Sequence, residues 1–367
     1  MSSSSNSLVD YEVDRLEREL AAASHKPAHA ARILREFYRS GGRVEMDARV
    51  IGEALQRYLG DRLSARRSTI IRRVCAADGT VKLLVGFADG LAVESVLMPG
   101  FRADVAAGCV SSQVGCAMGC DFCASTRSGL ERNLDAGEIV EQFLHLKQEA
   151  TAMGRRLQTL VFMGMGEPLL NFDEVVAAIR RIADPNLGGL GWRQVTVSTV
   201  GIVPGIDRLA SADLNVHLAL SLHAPDDETR SRLVPANRRY GVAEVMAAAR
   251  RFEAATRRTP NIEYCIIDGL NDSDRQAGLL ADLMQGFRAH VNIIPCNSIG
   301  AGISGIAYSA PPRERLDAFV AILRNRGVVT HLRETRGSDI NAACGQLRES
   351  SAHLEAAHKI ASRTSVS

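Results

Sequence analysis

Apolar residues fall along this chain in two rhythms. From Tyr11 to about Leu59 they recur at three- and four-residue steps, as in Ala31-Arg32-Ile33-Leu34-Arg35-Glu36-Phe37-Tyr38, the spacing of helices with one buried face. This predicts a small helical N-terminal domain over 11–75. The Ser-rich residues before it, 1–10, carry little apolar surface and are expected to form a disordered tail. Two strand-like runs follow, Val81–Phe87 and Ala92–Met98, with Asp89-Gly90 between them. Asp-Gly between two such runs is a hairpin signal, so 76–100 is expected to be a β-hairpin linker.

From Cys109 onward short apolar runs alternate with longer amphipathic ones. Strands are predicted at Cys109–Val114, Thr159–Met163, Gln194–Thr199, His217–Leu222, Asn261–Ile267 and His290–Pro295. Helices are predicted at Ala136–Met153, Phe172–Ala183, Val242–Thr256, Ser273–Phe287 and Arg313–Arg326. Such alternation implies a parallel sheet with helices outside, an α/β fold, and six units fit an incomplete (βα)6 barrel over 101–347. A strand-like Val328–Arg333 lies near its end, and 348–367 is expected to be a C-terminal tail. Chemistry in such barrels gathers at the C-terminal ends of the strands. That makes candidates of Gly166 and Glu167, Ser198, Ser221-Leu222-His223 and Asn297, each of which could equally be a turn or cap residue.

Composition narrows the class without naming a partner. Hydrophobic residues make up 46% and charged residues 23%, ordinary for a soluble globular protein. No apolar run is long enough to span a membrane, and the polar start does not read as a secretory signal. A net charge of +2 decides little. Lysine stands only at Lys26, Lys82, Lys147 and Lys359, so the positive charge is nearly all arginine. Arg62, Arg66, Arg67, Arg72 and Arg73 cluster with no acid among them, which fits a phosphate-binding patch or a solvated helix face equally well.

The chemistry centres on Cys116, Cys120 and Cys123, spaced C-x3-C-x2-C in a loop relaxed by Gly115 and Gly119. A cubane [4Fe–4S] cluster is normally held by four thiolates, so three leave one iron open to a chelating cofactor. S-adenosylmethionine (SAM), through its amino and carboxylate groups, is the cofactor whose radical chemistry pairs with such a cluster. Structural zinc would want a second cysteine or histidine pair, but Cys75, Cys265, Cys296 and Cys344 are isolated. Inert buried thiols do not suit a loop holding Ser111, Ser112 and Asp121. Reduced cysteines around a cluster point to the cytoplasm. Cys344 has small neighbours, Ala342, Ala343 and Gly345, which suits a reactive thiol, and Cys109 is a second spare thiol beside the cluster loop. Glu94 sits among strand residues, where a carboxylate on a solvated face is the plain reading.

Taken together, CVSSQVGCAMGCDFC, RNL, FMGMGEPLLN, VTVSTVGIVP, LALSLHAPDDETRSRLVPAN, NIIPCN and TRGSDINAACGQL closely resemble the radical SAM RNA adenine methyltransferases of the RlmN/Cfr family. They run in order over about two-thirds of the chain. The resemblance implies that Cys116, Cys120 and Cys123 hold the cluster and that Gly166, Glu167, Ser198, Ser221, Leu222, His223 and Asn297 line the SAM site. It implies two SAM per turnover: one methylates Cys344, and the second, cleaved reductively, yields a radical that activates that methyl for addition to an adenine carbon. Cys109 would then release the RNA by a transient disulfide with Cys344, with Glu94 as proton acceptor. The implied partners are large-subunit (23S) ribosomal RNA, tRNA as a second substrate, and an electron donor such as flavodoxin or ferredoxin; a monomer is expected. C2 of adenosine is the default target and C8 the alternative. Ser298, Glu334, Ser338, Asn341 and Ser125-Thr126 depart from the family pattern and bear on RNA choice and regiochemistry. Two rivals differ in what they require. A radical SAM enzyme with another substrate has no use for Cys109 and Cys344, and an RNA-binding factor with a structural cluster has no use for a SAM site.

Overall fold

A computed structural model describes residues 6–43, 51–64 and 67–347. Two short strands, β1 (Asn6–Ser7) and β2 (Leu63–Ser64), pair in parallel and close the N-terminal helices α1 (Val13–Ala22), α2 (Ala30–Arg39) and α3 (Glu53–Arg62) into one unit. An antiparallel run follows: β3 (Thr69–Cys75), β4 (Val81–Gly86), β5 (Ala92–Pro99) and β6 (Val105–Cys109). A small hairpin, β7 (Gln113–Gly115) with β8 (Leu130–Asn133), leads to α4 (Ala136–Ala152), β9 (Arg156–Phe162) and α5 (Phe172–Ala183). Then come β10 (Val195–Thr199), α6 (Val203–Ala210), β11 (His217–Ser221), α7 (Asp227–Leu233), α8 (Val242–Thr256), β12 (Asn261–Ile266), α9 (Asp274–Leu283), β13 (His290–Pro295), α10 (Arg313–Asn325) and β14 (Thr330–Leu332).

Ten strands make one sheet in the order β14-β13-β12-β11-β10-β9-β6-β5-β4-β3. From β6 through β14 every neighbour pair is parallel, which is the expected barrel of six units plus one further strand. Parallel strands buried on both faces read as apolar runs, which is why they show in the sequence. The helices turn one apolar face inward. In α5 the buried set is Phe172, Val175, Val176, Ala178, Ile179, Ile182 and Ala183, at helical steps. Helix α4 starts in a capping box: Asp135 accepts from the Glu138 amide at 2.8 Å, and Glu138 returns the bond to Asp135 at 3.0 Å.

Several expectations need correction. The hairpin is not a linker, because β5 bonds directly to β6 and extends the barrel sheet. The N-terminal helical stretch ends before 75, since Thr69–Cys75 is a strand on β4. The tail over 1–10 is ordered from Asn6. Leu8 and Val9 are fully buried, and the Val9 carbonyl accepts from Arg181 at 2.8 Å. Residues 1–5 and the tail from 348 lie outside the described residues. The strand expected over Cys109–Val114 stops at Cys109. There Ser111 turns inward, its Oγ donating to the Glu94 carbonyl at 2.7 Å and its amide to Gln142 at 2.9 Å, so the chain leaves the sheet. Among the described residues no helix is long and apolar enough to cross a membrane.

Candidate active site

One cavity opens at the C-terminal ends of β9 to β13, where the sequence reading placed the chemistry. It is open to solvent on one side and leaves about 150 Å³ of room for the centres of water-sized molecules. Cys116, Cys120 and Cys123 line one wall. Gly166, Glu167, Ser198, Ser221, His223 and Asn297 line the rim, and Cys344 closes it. Leu222 does not belong to the lining. Its side chain is fully buried in the core, just past the end of β11. Glu94 and Cys109 also lie outside the lining.

The thiol loop is held by its backbone. The Cys116 amide donates to the Gly129 carbonyl at 2.8 Å, and Gly115 has φ +74°; a Cβ there would fall 2.0 Å from that same carbonyl oxygen. The Asp121 amide donates to Leu233 at 3.0 Å, while its carboxylate takes the Ser304 amide at 2.8 Å and the Tyr308 hydroxyl at 2.6 Å. Burial pushes the Cys116 thiol up to about 12 and raises Cys120 and Cys123 as well. Thiolates at these positions therefore need a cationic partner.

At the rim, Gly166 has φ +100°, and a Cβ would fall 2.6 Å from that of Gln113. Only glycine lets the chain turn here. Glu167 follows at once, its carboxylate accepting the amides of Val200 at 2.8 Å and Leu169 at 3.0 Å. Burial raises it to about 7. His223 is held in the left-handed region, φ +61°, with Nδ1 accepting the Cys265 amide at 2.9 Å. That bond fixes the tautomer with its proton on Nε2, and burial, aided by Arg230, lowers the ring to about 3. His223 is thus a neutral donor. Ser198 and Ser221 face each other with Oγ atoms 3.4 Å apart.

Cys344 lies on a short segment after β14, exposed to the cavity yet deep within the molecule's envelope. Asn297 donates to its carbonyl at 3.1 Å, and the Gly345 and Leu347 carbonyls accept from the Ala124 amide at 2.7 Å and the Ser125 hydroxyl at 2.6 Å. Cys109, at the end of β6, is buried, and burial and then the Cys344 charge push it up to about 12. All eight cysteines are free, so the expected Cys109–Cys344 disulfide is not formed in this structure. Glu94 is not on a solvated strand face: it is buried and pairs with Lys82 at 2.9 Å, whose Nζ also donates to the Asn341 carbonyl at 3.0 Å. Glu263 was not foreseen. It lines the cavity, accepts from Asn292 at 2.8 Å, and is raised by burial. Period-two alternation with Cys265 was the signal that could have found it.

A profile described as the Radical SAM superfamily matches residues 110–279. A protein of Opitutus terrae named probable dual-specificity RNA methyltransferase RlmN 1 is 55% identical, over 93% of this chain and 96% of its own length. A Rhodopirellula baltica protein named probable dual-specificity RNA methyltransferase RlmN is 40% identical, over 96% and 93%. A crystal structure of a radical SAM methyltransferase from Sphaerobacter thermophilus superposes with a TM-score of 0.86 at 43% identity, covering 94% of this chain and 99% of that one. The chain belongs to the RlmN family. It is a SAM-dependent radical SAM RNA methyltransferase.

The RlmN-family cofactors fit the residues present. Among the described residues no three His, Cys, Asp or Glu side chains converge on a single-ion site. A cluster, whose irons are separate corners of a cube, takes thiolates aimed at different atoms, and the three-thiol wall beside an open cavity meets that need. The arginine-rich segment looks different in an RlmN-family fold. Arg67 bonds Asp10 at 2.8 Å and Asp135 at 3.2 Å, Arg73 bonds Glu149 at 2.8 Å, and Arg72 is exposed. Arg72 and Arg73 stand on β3, not on a helix face. Arg66 lies outside the described residues, as does the side chain of Arg62.

Proposed function

We propose that this enzyme methylates an adenosine carbon, C2 by default, in 23S ribosomal RNA, with tRNA as a second substrate, through a methyl carried on Cys344. The observation that carries the reading is that Cys344 opens into the same cavity as the three-thiol wall and the Glu167 rim. The relatives named dual-specificity support two RNA substrates.

Cys116, Cys120 and Cys123 would hold one [4Fe–4S] cluster. Gly166, Glu167, Ser198, Ser221, His223 and Asn297, with the backbone of Leu222, would seat SAM, two per turnover. The cluster and SAM supply, when bound and reduced by a flavodoxin or ferredoxin, the radical that activates the Cys344 methyl. Cys344 holds the carbon, and Cys109 then attacks its sulfur: the S–C bond breaks, its electron pair and a proton go to the carbon to complete the RNA methyl group, and the disulfide left behind is reopened by a dithiol reductant. Glu94, paired to Lys82, is the proton acceptor in this reading. An unstacked adenosine suits a recessed thioether. The enzyme works as a cytoplasmic monomer in this reading.

The test is anaerobic: reconstituted enzyme, methyl-deuterated SAM, reductant and unmodified 23S RNA or tRNA, digested to nucleosides for mass spectrometry. Deuterated C2-methyladenosine is expected. C8 product would move the target carbon, and SAM cleavage without methylated RNA would sink the substrate assignment.

Glu167 sets a pH dependence for SAM binding. Only its carboxylate pairs with the SAM ammonium, and burial leaves it about half protonated near pH 7. Affinity is expected to fall roughly tenfold from pH 8 to pH 6, measured by equilibrium dialysis. In the free protein the sign is opposite: the group stabilises the fold when protonated, and that contribution is lost as pH rises through about 7. An affinity flat over this range would remove Glu167 from ammonium recognition.

A further inference from the structure

Helix α7 places one cation where no carboxylate meets it. Arg230 has 0% exposure, the bulkiest of the fully buried side chains. Its five N–H groups are all used. Nε donates to the Leu222 carbonyl at 2.9 Å; Nη1 to Asn237 Oδ1 at 2.8 Å and the Tyr240 carbonyl at 3.4 Å; Nη2 to the carbonyls of Val200 at 2.5 Å and Ser221 at 3.3 Å. Every one of these acceptors is neutral, and among the described residues no carboxylate forms an ion pair with it. Burial lowers the guanidinium only to about 10, so it stays charged at neutral pH. A buried charge satisfied by dipoles alone is costly to keep unless a counter-charge lies nearby.

Two candidates lie nearby: the exposed Asp227 carboxylate, joined to Arg230 through Asn237, and the thiol loop. The carbonyl of Leu233, at the end of the same helix, accepts the Asp121 amide, and Leu233 and Val234 share one apolar cluster with Cys120. Val200 and Ser221, whose carbonyls Arg230 Nη2 holds, line the same cavity as Cys116, Cys120 and Cys123. A [4Fe–4S] core on three thiolates carries net negative charge, and one unit more after reduction. Net charge and burial around a cluster are levers on its potential.

We propose that Arg230 is the built-in counter-charge of the cluster, a positioning residue that raises its reduction potential and so favours entry of the electron on which SAM cleavage depends. This rests on the cluster being held by Cys116, Cys120 and Cys123. The step is a one-electron reduction by a low-potential flavodoxin or ferredoxin; Arg230 gives up neither proton nor electron. The same bonds also pin the ends of β10 and β11 beside Ser198, Ser221 and His223, so the test must separate charge from bonding.

The experiment is an anaerobic EPR-monitored redox titration of the cluster-loaded enzyme at low ionic strength, with iron content measured alongside. Three variants are compared with wild type: Arg230→Gln, Arg230→Lys and Asp227→Asn. The Gln variant is expected to show a lower midpoint, its reduced fraction at a fixed donor poise falling about tenfold, equivalent to 59 mV for one electron. The Lys variant, which keeps the charge and loses the fork, is expected to match wild type. Asp227 is exposed on the first turn of α7, and its Oδ1 accepts from the Val242 amide at 2.7 Å and from Asn237 Nδ2 at 3.0 Å, bonds an asparagine oxygen can keep. Removing its negative charge is expected to raise the midpoint. An unchanged midpoint in a fully loaded Gln variant, or a Lys variant that drops as far as Gln, would reduce Arg230 to a strand clamp. If neither Arg230 variant loads a cluster, Asp227→Asn decides, and no upward shift there ends the proposal. A wild-type enzyme that binds no cluster overturns the cofactor reading itself, a separate outcome seen in iron content alone.

Discussion

Cys344→Ala is expected to lose RNA methylation by at least roughly 10³-fold, the scale of deleting a covalent nucleophile, while reductive cleavage of SAM continues. The residues proposed for these two activities come from different elements. The cluster wall, Glu167, Ser198 and His223 reach the cavity from the barrel, whereas Cys344 reaches it from the segment after β14. What holds that segment is backbone: the Cys344 carbonyl on Asn297, Gly345 on Ala124, and the Ala342 amide on Gly337 at 2.9 Å. None of these bonds uses the thiol. An exposed side chain with no hydrogen-bonding duty is removed at little cost to the fold, within about 0.5 kcal/mol. Deuterated methyl counted in digested RNA, beside 5′-deoxyadenosine counted in the same reaction, checks both halves. Methylated RNA at wild-type yield would discard the thioether route.

Cys109→Ala is expected to leave RNA covalently attached to the enzyme, with turnover stopping near about one RNA per enzyme, the stoichiometry of a trapped covalent intermediate. Cys109 is buried, lies outside the cavity lining, and is held protonated by burial, so it is poorly placed to replace Cys344 as methyl carrier. Its sulfur does lie within electrostatic reach of Cys344, which suits a thiol that acts once, late, on its neighbour. Labelled RNA migrating with protein on a denaturing gel is the readout, and the band should vanish when Cys344 is also replaced. Free methylated RNA released at the wild-type rate would remove Cys109 from the reaction.

Much of this architecture was legible because its signals are local. Phe172–Ala183, Val242–Thr256 and His290–Pro295 keep the bounds their apolar spacing predicts. Short α6 and α7 escaped, since eight- and seven-residue helices offer barely two turns of periodicity. Charge partners were not legible at all. Five arginines without a local acid look free, but Arg67 meets Asp10 and Asp135 from 57 and 68 residues away. The Lys82–Glu94 pair depends on the register that sets Leu84 against Glu94 across two strands, which no single run reveals. Glu263 hid in an apolar run because one acid does not change a strand's pattern. The thiol wall needed no fold to be read, since ligand spacing is itself local.

The bond from Ser125 to Leu347 spans 222 residues of chain. At roughly 5–20 residues per second of synthesis, the thiol loop leaves the ribosome tens of seconds before the segment that covers it has been made. During that interval Ala124 and Ser125 lack the carbonyls of Gly345 and Leu347 that hold them in the finished fold. The order in which this polypeptide is made thus leaves the loop without its C-terminal partner until synthesis is nearly over.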